Sequence, residues 1–358
     1  MLITILWFLA GLAALIIGAD LLVRGASRLA LSLGVSKLVI GLTVIAFGTS
    51  APELAISIQS GLEGKPDLLL GNIVGSNITN ILLILGISAL ILPITVHPRL
   101  IRLDVPIMLL LTLLLLFFVW NGSISVFESF VLVTLLTAYL IYLARNSGSA
   151  VPREINTARR SKGVQFLFIG IGLVLLISGA RLVVSSAVEL AEWFGISELI
   201  IGLTIVAFGT SLPEVTTAVV AAVRKERELL ISGVIGSNIL NILAVLGITG
   251  LLLFEPIPVT DALIRFDIMI LLAASFACIP IFFTGHLISR KEGALFFSYY
   301  IAYIFYLFLA SAEHDALPLF SRTMLLFVLP ITLFTIITIA TREWNKRKRI
   351  WNLMDKNK

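Results

Sequence analysis

A chain of 358 residues that is 59% hydrophobic and only 13% charged, with a mean hydropathy of +1.07, is excluded from the ordinary soluble domains, which carry about 25% charged residues. The net charge of +5 does not point to a nucleic-acid partner, because the Lys and Arg sit in loops between apolar runs, the usual topological signal of a membrane protein. The lone Cys278, the scattered His97, His286 and His314 (loop or interfacial residues) and the lack of a Gly-x-x-x-x-Gly-Lys-Ser/Thr loop exclude a disulfide, a Cys- or His-based metal cluster and P-loop ATP hydrolysis.

Apolar runs near 2–23, 37–61, 69–92, 104–120, 124–144, 164–188, 198–223, 229–253, 263–284, 293–311 and 318–341 are each long enough for a helix to cross a hydrocarbon core of about 30 Å. The first has no basic flank and reads as a membrane helix rather than a signal peptide. Its Gly18-Ala19 also reappears as Gly179-Ala180, at the spacing of a chain-wide repeat. Gly41 to Glu53, G-L-T-V-I-A-F-G-T-S-A-P-E, returns as Gly202 to Glu214, G-L-T-I-V-A-F-G-T-S-L-P-E. Gly75-Ser76-Asn77 with Asn80 and Gly86 returns as Gly236-Ser237-Asn238 with Asn241 and Gly247. Leu100-Ile101-Arg102-Leu103-Asp104 resembles Leu263-Ile264-Arg265-Phe266-Asp267. The basic stretch 145–163 therefore links two halves of five spans, 1–144 and 164–311, and 312–358 adds an eleventh span and a basic tail.

With the N-terminus outside, all but Lys65, Arg181, Arg265 and Arg322 of the 26 Lys and Arg fall on the inner side, as the positive-inside rule requires. Arg24, Arg28 and Lys37 are then inner-loop residues, and Arg224 to Glu228 is a solvated turn. An odd number of spans makes the second half cross in the opposite sense. The expected fold is an all-α polytopic membrane protein of two inverted five-helix repeats, a ten-helix core, plus one C-terminal transmembrane helix. Such repeats place a site near the midplane, at interrupted helices.

Each Gly-Thr-Ser-x-Pro-Glu motif carries such an interruption. Pro52 and Pro213 lack the N–H and clash with the carbonyls of Gly48 and Gly209, and they disfavour helical geometry at Ala51 and Leu212. Unpaired carbonyls are expected around Ala46 to Thr49 and Ala207 to Thr210. Near them the sequence sets the hydroxyls of Thr49, Ser50, Thr210 and Ser211, the carboxylates of Glu53 and Glu214, and Ser76, Asn80, Ser237 and Asn241. All are oxygen ligands, suited to calcium rather than to a soft metal. Two carboxylates balance one divalent cation, and they also suit sodium ions or protons. Intramembrane carboxylates mark function, and two at inverted positions beside helix breaks are poorly explained as helix caps. Gly71, Gly75, Gly233 and Gly236 read as helix-packing residues. Asn77 and Asn238, about 100° around the helix from the preceding serines, read as interhelical hydrogen-bonding residues. Arg102, Asp104, Arg265 and Asp267 read as interfacial anchors.

At these motifs the sequence resembles the calcium/cation antiporter superfamily, on its sodium/calcium exchanger side, over roughly residues 1–311. The resemblance implies ten helices in two inverted halves with central ion sites. It implies that Glu53 and Glu214 coordinate calcium with the carbonyls of Thr49 and Thr210. Ser50, Ser211, Ser76 and Ser237, with the carbonyls of Ala46 and Ala207, would complete flanking sodium sites, and Asn80 and Asn241 would lie at the centre. Some relatives, including potassium-dependent ones, carry Asp at one central position; here both are Asn, which argues against potassium dependence. The long regulatory loop of animal exchangers is absent.

The expected function is sodium/calcium antiport by alternating access, with calcium and sodium as substrates, no cofactor and no enzymatic activity. The alternatives are a calcium/proton antiporter and a passive cation channel; the hydroxyls beside each Glu favour sodium over protons, and the repeat symmetry disfavours a channel. The expected setting is a prokaryotic inner membrane, with the lipid bilayer as surroundings, the C-terminus cytoplasmic and a monomer as the working unit.

Overall fold

The computed structural model describes residues 1–146, 162–194, 207–312, 314, 316–330, 332 and 341. It is helical almost throughout, in the order α1 (Leu2–Leu33), α2 (Lys37–Thr49), α3 (Ala51–Leu62), α4 (Pro66–Ile91), β1 (Ile94–Thr95), α5 (Leu100–Val119), β2 (Ser123–Ile124), α6 (Val126–Arg145), α7 (Lys162–Trp193), the single turn α8 (Ala207–Gly209), α9 (Leu212–Val223), α10 (Arg227–Leu253), β3 (Ile257–Pro258), α11 (Leu263–Phe283), β4 (Leu287–Ile288), α12 (Arg290–Ser311) and α13 (Leu317–Leu326). Among the described residues eight helices are long and apolar enough to cross a membrane, and α2 with α3, bent by 42°, makes a ninth span. The expected spans 198–223 and 318–341 lie partly outside the described residues, as do 195–206 of the second motif and most of the 145–163 linker. The protein is an integral, multi-pass, all-helical membrane protein.

The expected first span ended at 23, with Arg24 and Arg28 in a loop. The structure corrects this: α1 continues for 32 residues to Leu33, about 48 Å at 1.5 Å per residue. A helix longer than the hydrocarbon core tilts or projects from it, so charges near its end do not terminate it. Arg24 lies one turn from Asp20 and pairs with it at 2.9 Å. Gly34, with φ 69°, closes α1 in the left-handed conformation, its N–H turned back to the carbonyls of Ala30 and Leu31, which glycine adopts without a Cβ penalty.

The first helices of the two halves, α1 and α7, pack antiparallel. Thr4 donates to Glu189 at 2.8 Å at one end, and Ser32 donates to Gln165 at 2.8 Å at the other. Between them an added Cβ at Gly18 would stand 2.8 Å from the Gly172 carbonyl oxygen, and one at Gly179 would stand 2.9 Å from that of Gly11. Small residues let membrane helices approach to backbone contact, where dispersion replaces the missing hydrophobic drive.

The halves also exchange strands. β1 pairs antiparallel with β4 (Ile94 opposite Ile288), and β2 with β3 (Ile124 opposite Ile257). Each pair joins two loops that the span count places on the same side of the membrane. α6 and α12 begin with matching capping boxes, Ser125 with Glu128 and Ser289 with Glu292, in which side chains satisfy the orphan N–H groups of the first turn. α4 and α10 lie innermost, and α10 is buried without a break from Leu229 to Gly247.

Asp104 is not the interfacial anchor expected from its position. It is wholly buried, accepts a hydrogen bond from the Tyr139 hydroxyl at 3.2 Å, and has Arg99 Nε 4.0 Å away. Its counterpart Asp267 is half-buried and accepts from Tyr303 at 2.8 Å, while Arg102 and Arg265 stay exposed. Removing the only hydroxyl donor to a buried carboxylate costs its desolvation, about 1–3 kcal/mol. Tyr139→Phe is therefore expected to lower the melting temperature in detergent clearly, and Tyr303→Phe less, because water reaches Asp267.

The turn from Arg224 to Glu228 is also more than a solvated loop. Glu226 accepts from Ser27 at 3.0 Å and from Lys37 at 2.7 Å, and Arg224 pairs with Asp20. These contacts fasten the α9–α10 turn to α1 and α2, while Lys225, at φ 60°, points into solvent.

Candidate functional site

The two motifs bend where α2 meets α3 and where α8 meets α9, one residue earlier than the prolines suggest. Ser50 (φ −81°, ψ 4°) and Ser211 (φ −85°, ψ 4°) leave helical geometry, whereas Ala51 and Leu212 already begin the next helix. Pro52 and Pro213 then fall in a first turn, where N–H groups have no intrahelical acceptor and proline is tolerated. The expectation of an unpaired carbonyl at Ala46 is likewise corrected. That oxygen accepts the Ser50 N–H at 3.0 Å, with the Thr49 hydroxyl at 3.4 Å, and the same hydroxyl donates to Ile45 at 3.1 Å. Gly48 and Gly209 are the positions whose i+4 partner is a proline without a hydrogen.

Glu53 and Glu214, in the first turns of α3 and α9, are turned into the interior. Both are buried, and among the described residues none of the four carboxylate oxygens has a donor within 3.5 Å. They lie close enough to repel one another, and the Thr49 and Ser50 hydroxyls of the first half stand beside Glu214 of the second. The Thr49 hydroxyl also meets that of Ser237 at 3.5 Å. Two unpaired carboxylates in a low-dielectric interior are costly unless a cation joins them.

Of the other candidate residues, Thr49 and Ser237 line one cavity with Glu214. Ser76 and Asn80 on α4, Ser237 and Asn241 on α10, Ser211 and Ala46 are all buried. Thr210 is half-buried, and Ala207 opens α8. Among the described residues, both polar atoms of the Asn80 amide and the Asn241 carbonyl oxygen carry no hydrogen bond. α4 and α10 widen into π-helical turns at Thr79–Ile84 and Asn241–Leu246, which include both asparagines; such turns concentrate at functional sites. Asn77 bonds across helices as expected, whereas the Asn238 side chain bonds within its own helix. Asn77 donates to the Asn238 carbonyl at 3.4 Å and accepts from the Asn241 amide at 3.0 Å, and Asn238 donates to Val234 at 3.0 Å. Among the described residues no three His, Cys, Asp or Glu side chains converge, so the free ligands are hydroxyl, amide and carboxylate oxygens. Gly236 is a packing residue as read from sequence: an added Cβ would stand 2.8 Å from Leu42 Cα and Ala46 Cβ. Gly71 and Gly75 meet no described neighbour.

Two features escaped the sequence reading. Asn72 donates to the Glu53 carbonyl at 3.1 Å and to the Ser57 hydroxyl at 3.0 Å. Thr217, one turn beyond Glu214, lines a cavity with Glu214, Thr49 and Ser237. The signal for both was helical spacing from a glutamate, three residues for Thr217 and four for Ser57.

The arrangement is matched by known proteins. The family model described as sodium/calcium exchanger protein aligns with residues 3–145 and 164–309, covering both halves. The chain is 35% identical to the putative antiporter CaxA of Alkalimonas amylolytica, over 86% of this chain and 99% of that one. It is 32% identical to the sodium/calcium exchanger MaX1 of Methanosarcina acetivorans, over 84% of this chain and 97% of that one. A solved structure of the sodium-calcium exchanger NCX_Mj superposes with a TM-score of 0.74 at 34% identity, covering 84% of this chain and 98% of the other. With two halves of the chain matched in sequence, and the helical architecture matched in space, this protein belongs to the sodium/calcium exchanger family.

Proposed function

We propose that this protein exchanges sodium for calcium across the membrane by alternating access to the site between Glu53 and Glu214. The observation that carries the proposal is the pair of buried carboxylates, one from each half, which among the described residues meet no cationic side chain and no donor beyond the Thr49 and Ser50 hydroxyls beside Glu214. Calcium, with its 6–8 oxygen ligands and double charge, balances both. Sodium ions compete for the same charges and draw on the adjoining hydroxyls of Thr49, Ser50, Thr210, Ser211, Ser76 and Ser237, the carbonyls of Ala46 and Ala207, and the amides of Asn80 and Asn241. The hydroxyl-rich shell favours sodium over protons as the coupling ion, since a proton needs only the carboxylate.

The antiparallel α1–α7 pair and the exchanged strands support two inverted halves, 1–144 and 164–311, around this site. Positive charge places the N-terminus outside and the linker 145–163 and the C-terminus of 312–358 in the cytoplasm. A monomer contains the whole site. The working membrane in this reading is a prokaryotic inner membrane.

Proteoliposomes loaded with sodium and diluted into sodium-free buffer are expected to take up calcium as long as the outward sodium gradient lasts. Uptake driven by a pH gradient and indifferent to sodium would make the proton the coupling ion. Uptake indifferent to both gradients would leave a passive channel.

A further inference from the structure

Resting on the exchange reading above, we infer that the cavity between α9 and α10 is the ion passage from the carboxylate pair to one face of the membrane, and that the Thr217 hydroxyl is a cation ligand within it. The cavity has room for about one water and is lined by Glu214, Thr49 and Ser237, by Thr217 and Gly233, and by Ala221 and Leu230, which are buried three residues from either end of the 224–227 turn. Apart from Thr217 and the site residues at its inner end, its wall is apolar. Thr217 is 4% exposed, and among the described residues its hydroxyl has no hydrogen-bond partner. A threonine in a helix ordinarily donates to a carbonyl one turn back, as Thr112 does to Met108 at 3.0 Å. An orphaned hydroxyl facing a cavity beside an unpaired carboxylate is an oxygen available to an ion leaving or approaching Glu214.

The first half is not built this way. The residue equivalent to Thr217 is Ile56, and the residue equivalent to Gly233 is Asn72. The Asn72 side chain is committed to the Glu53 carbonyl and Ser57, whereas Gly233 puts no side chain into the space. The two faces of the exchanger therefore differ: an ion reaching Glu214 past the 224–227 turn meets an intermediate oxygen ligand that the Ile56 position lacks. Thr217 should set the apparent affinity at one face without changing the shared site.

The test compares wild type, Thr217→Val and Thr217→Ser in right-side-out and inside-out membrane vesicles, measuring the calcium concentration for half-maximal sodium-driven flux at each face. The face carrying the turn is identified separately by labelling Lys225→Cys with a membrane-impermeant maleimide, since native Cys278 is buried. Thr217→Val is expected to raise that concentration about five- to tenfold at the labelled face, the worth of roughly one hydrogen-bond-class contact. The opposite face should stay as in wild type, and Thr217→Ser should restore the value. Equal changes at both faces, a change at the opposite face alone, or no change at either would overturn the passage. Absence of sodium-driven calcium flux in wild-type vesicles would instead overturn the exchange reading on which it rests.

Discussion

Glu53→Gln and Glu214→Gln are each expected to abolish calcium exchange while leaving the ion-free protein as stable as wild type, or more so. Glutamine keeps the shape of the side chain and removes one of two buried charges that no protein group compensates. Breaking a buried charge pair by removing one partner costs about 3–5 kcal/mol, and the broken pair here is carboxylate with cation. That corresponds to about two to three and a half orders of magnitude in affinity. The same substitution relieves the repulsion between the two carboxylates when no ion is bound. In calcium- and sodium-free detergent the variants should therefore melt at or above the wild-type temperature. A ligand at about 100 times its Kd stabilises by roughly 2.7 kcal/mol, so calcium should raise the melting temperature of wild type and not of either variant. A calcium-dependent rise that survives in both variants would place the ion elsewhere.

Gly236→Ala is expected to disable the exchanger without touching a ligand. Its Cβ would stand 2.8 Å from Leu42 Cα and Ala46 Cβ and 3.0 Å from the Leu42 carbonyl oxygen. Two of these are backbone atoms of the bent helix that carries Thr49 and Ser50, so relief requires α2 and α10 to move apart. Overpacking of this kind costs about 1–3 kcal/mol, and the movement separates Ser237 from Thr49, now 3.5 Å apart. Both the melting temperature and sodium-driven uptake should fall. Gly170→Ala makes the same chemical change at an exposed position of α7 with no described neighbour and should behave as wild type. Because Gly→Ala by itself favours the helix, equal losses in the two variants would mean that the close packing at Gly236 does not set the effect.

Much of the site was legible because its residues break local rules. A carboxylate after Gly-Thr-Ser-x-Pro, inside an apolar run, conflicts with the lipid around it, and its recurrence at Glu214 names both members of the pair without any knowledge of their distance. Asn77 was legible for a similar reason, since helical spacing turns it away from the Ser76 face. The misreadings came where a residue's surroundings lie far along the chain. Asp104 looks interfacial next to Arg102, yet Tyr139 and Arg99 enclose it. Glu226 looks solvated between charged neighbours, yet Ser27 and Lys37 of the other half bind it. Arg24 looks like the end of a helix, yet α1 runs on beyond it.

The sequence by itself determined that the chain crosses a membrane repeatedly, that it is two related halves, and which oxygen-bearing residues oppose the apolar environment. Length, hydropathy and repetition are properties of the chain that survive without coordinates. Only the tertiary structure decided that the bends fall at Ser50 and Ser211, that Asn77 accepts from Asn241, and that Asn72 is bound to Glu53 and Ser57 while Thr217 lines a cavity with Glu214. Those outcomes depend on how helices separated by scores of residues pack, and periodicity along one helix reveals which face a residue shares but not what stands opposite it.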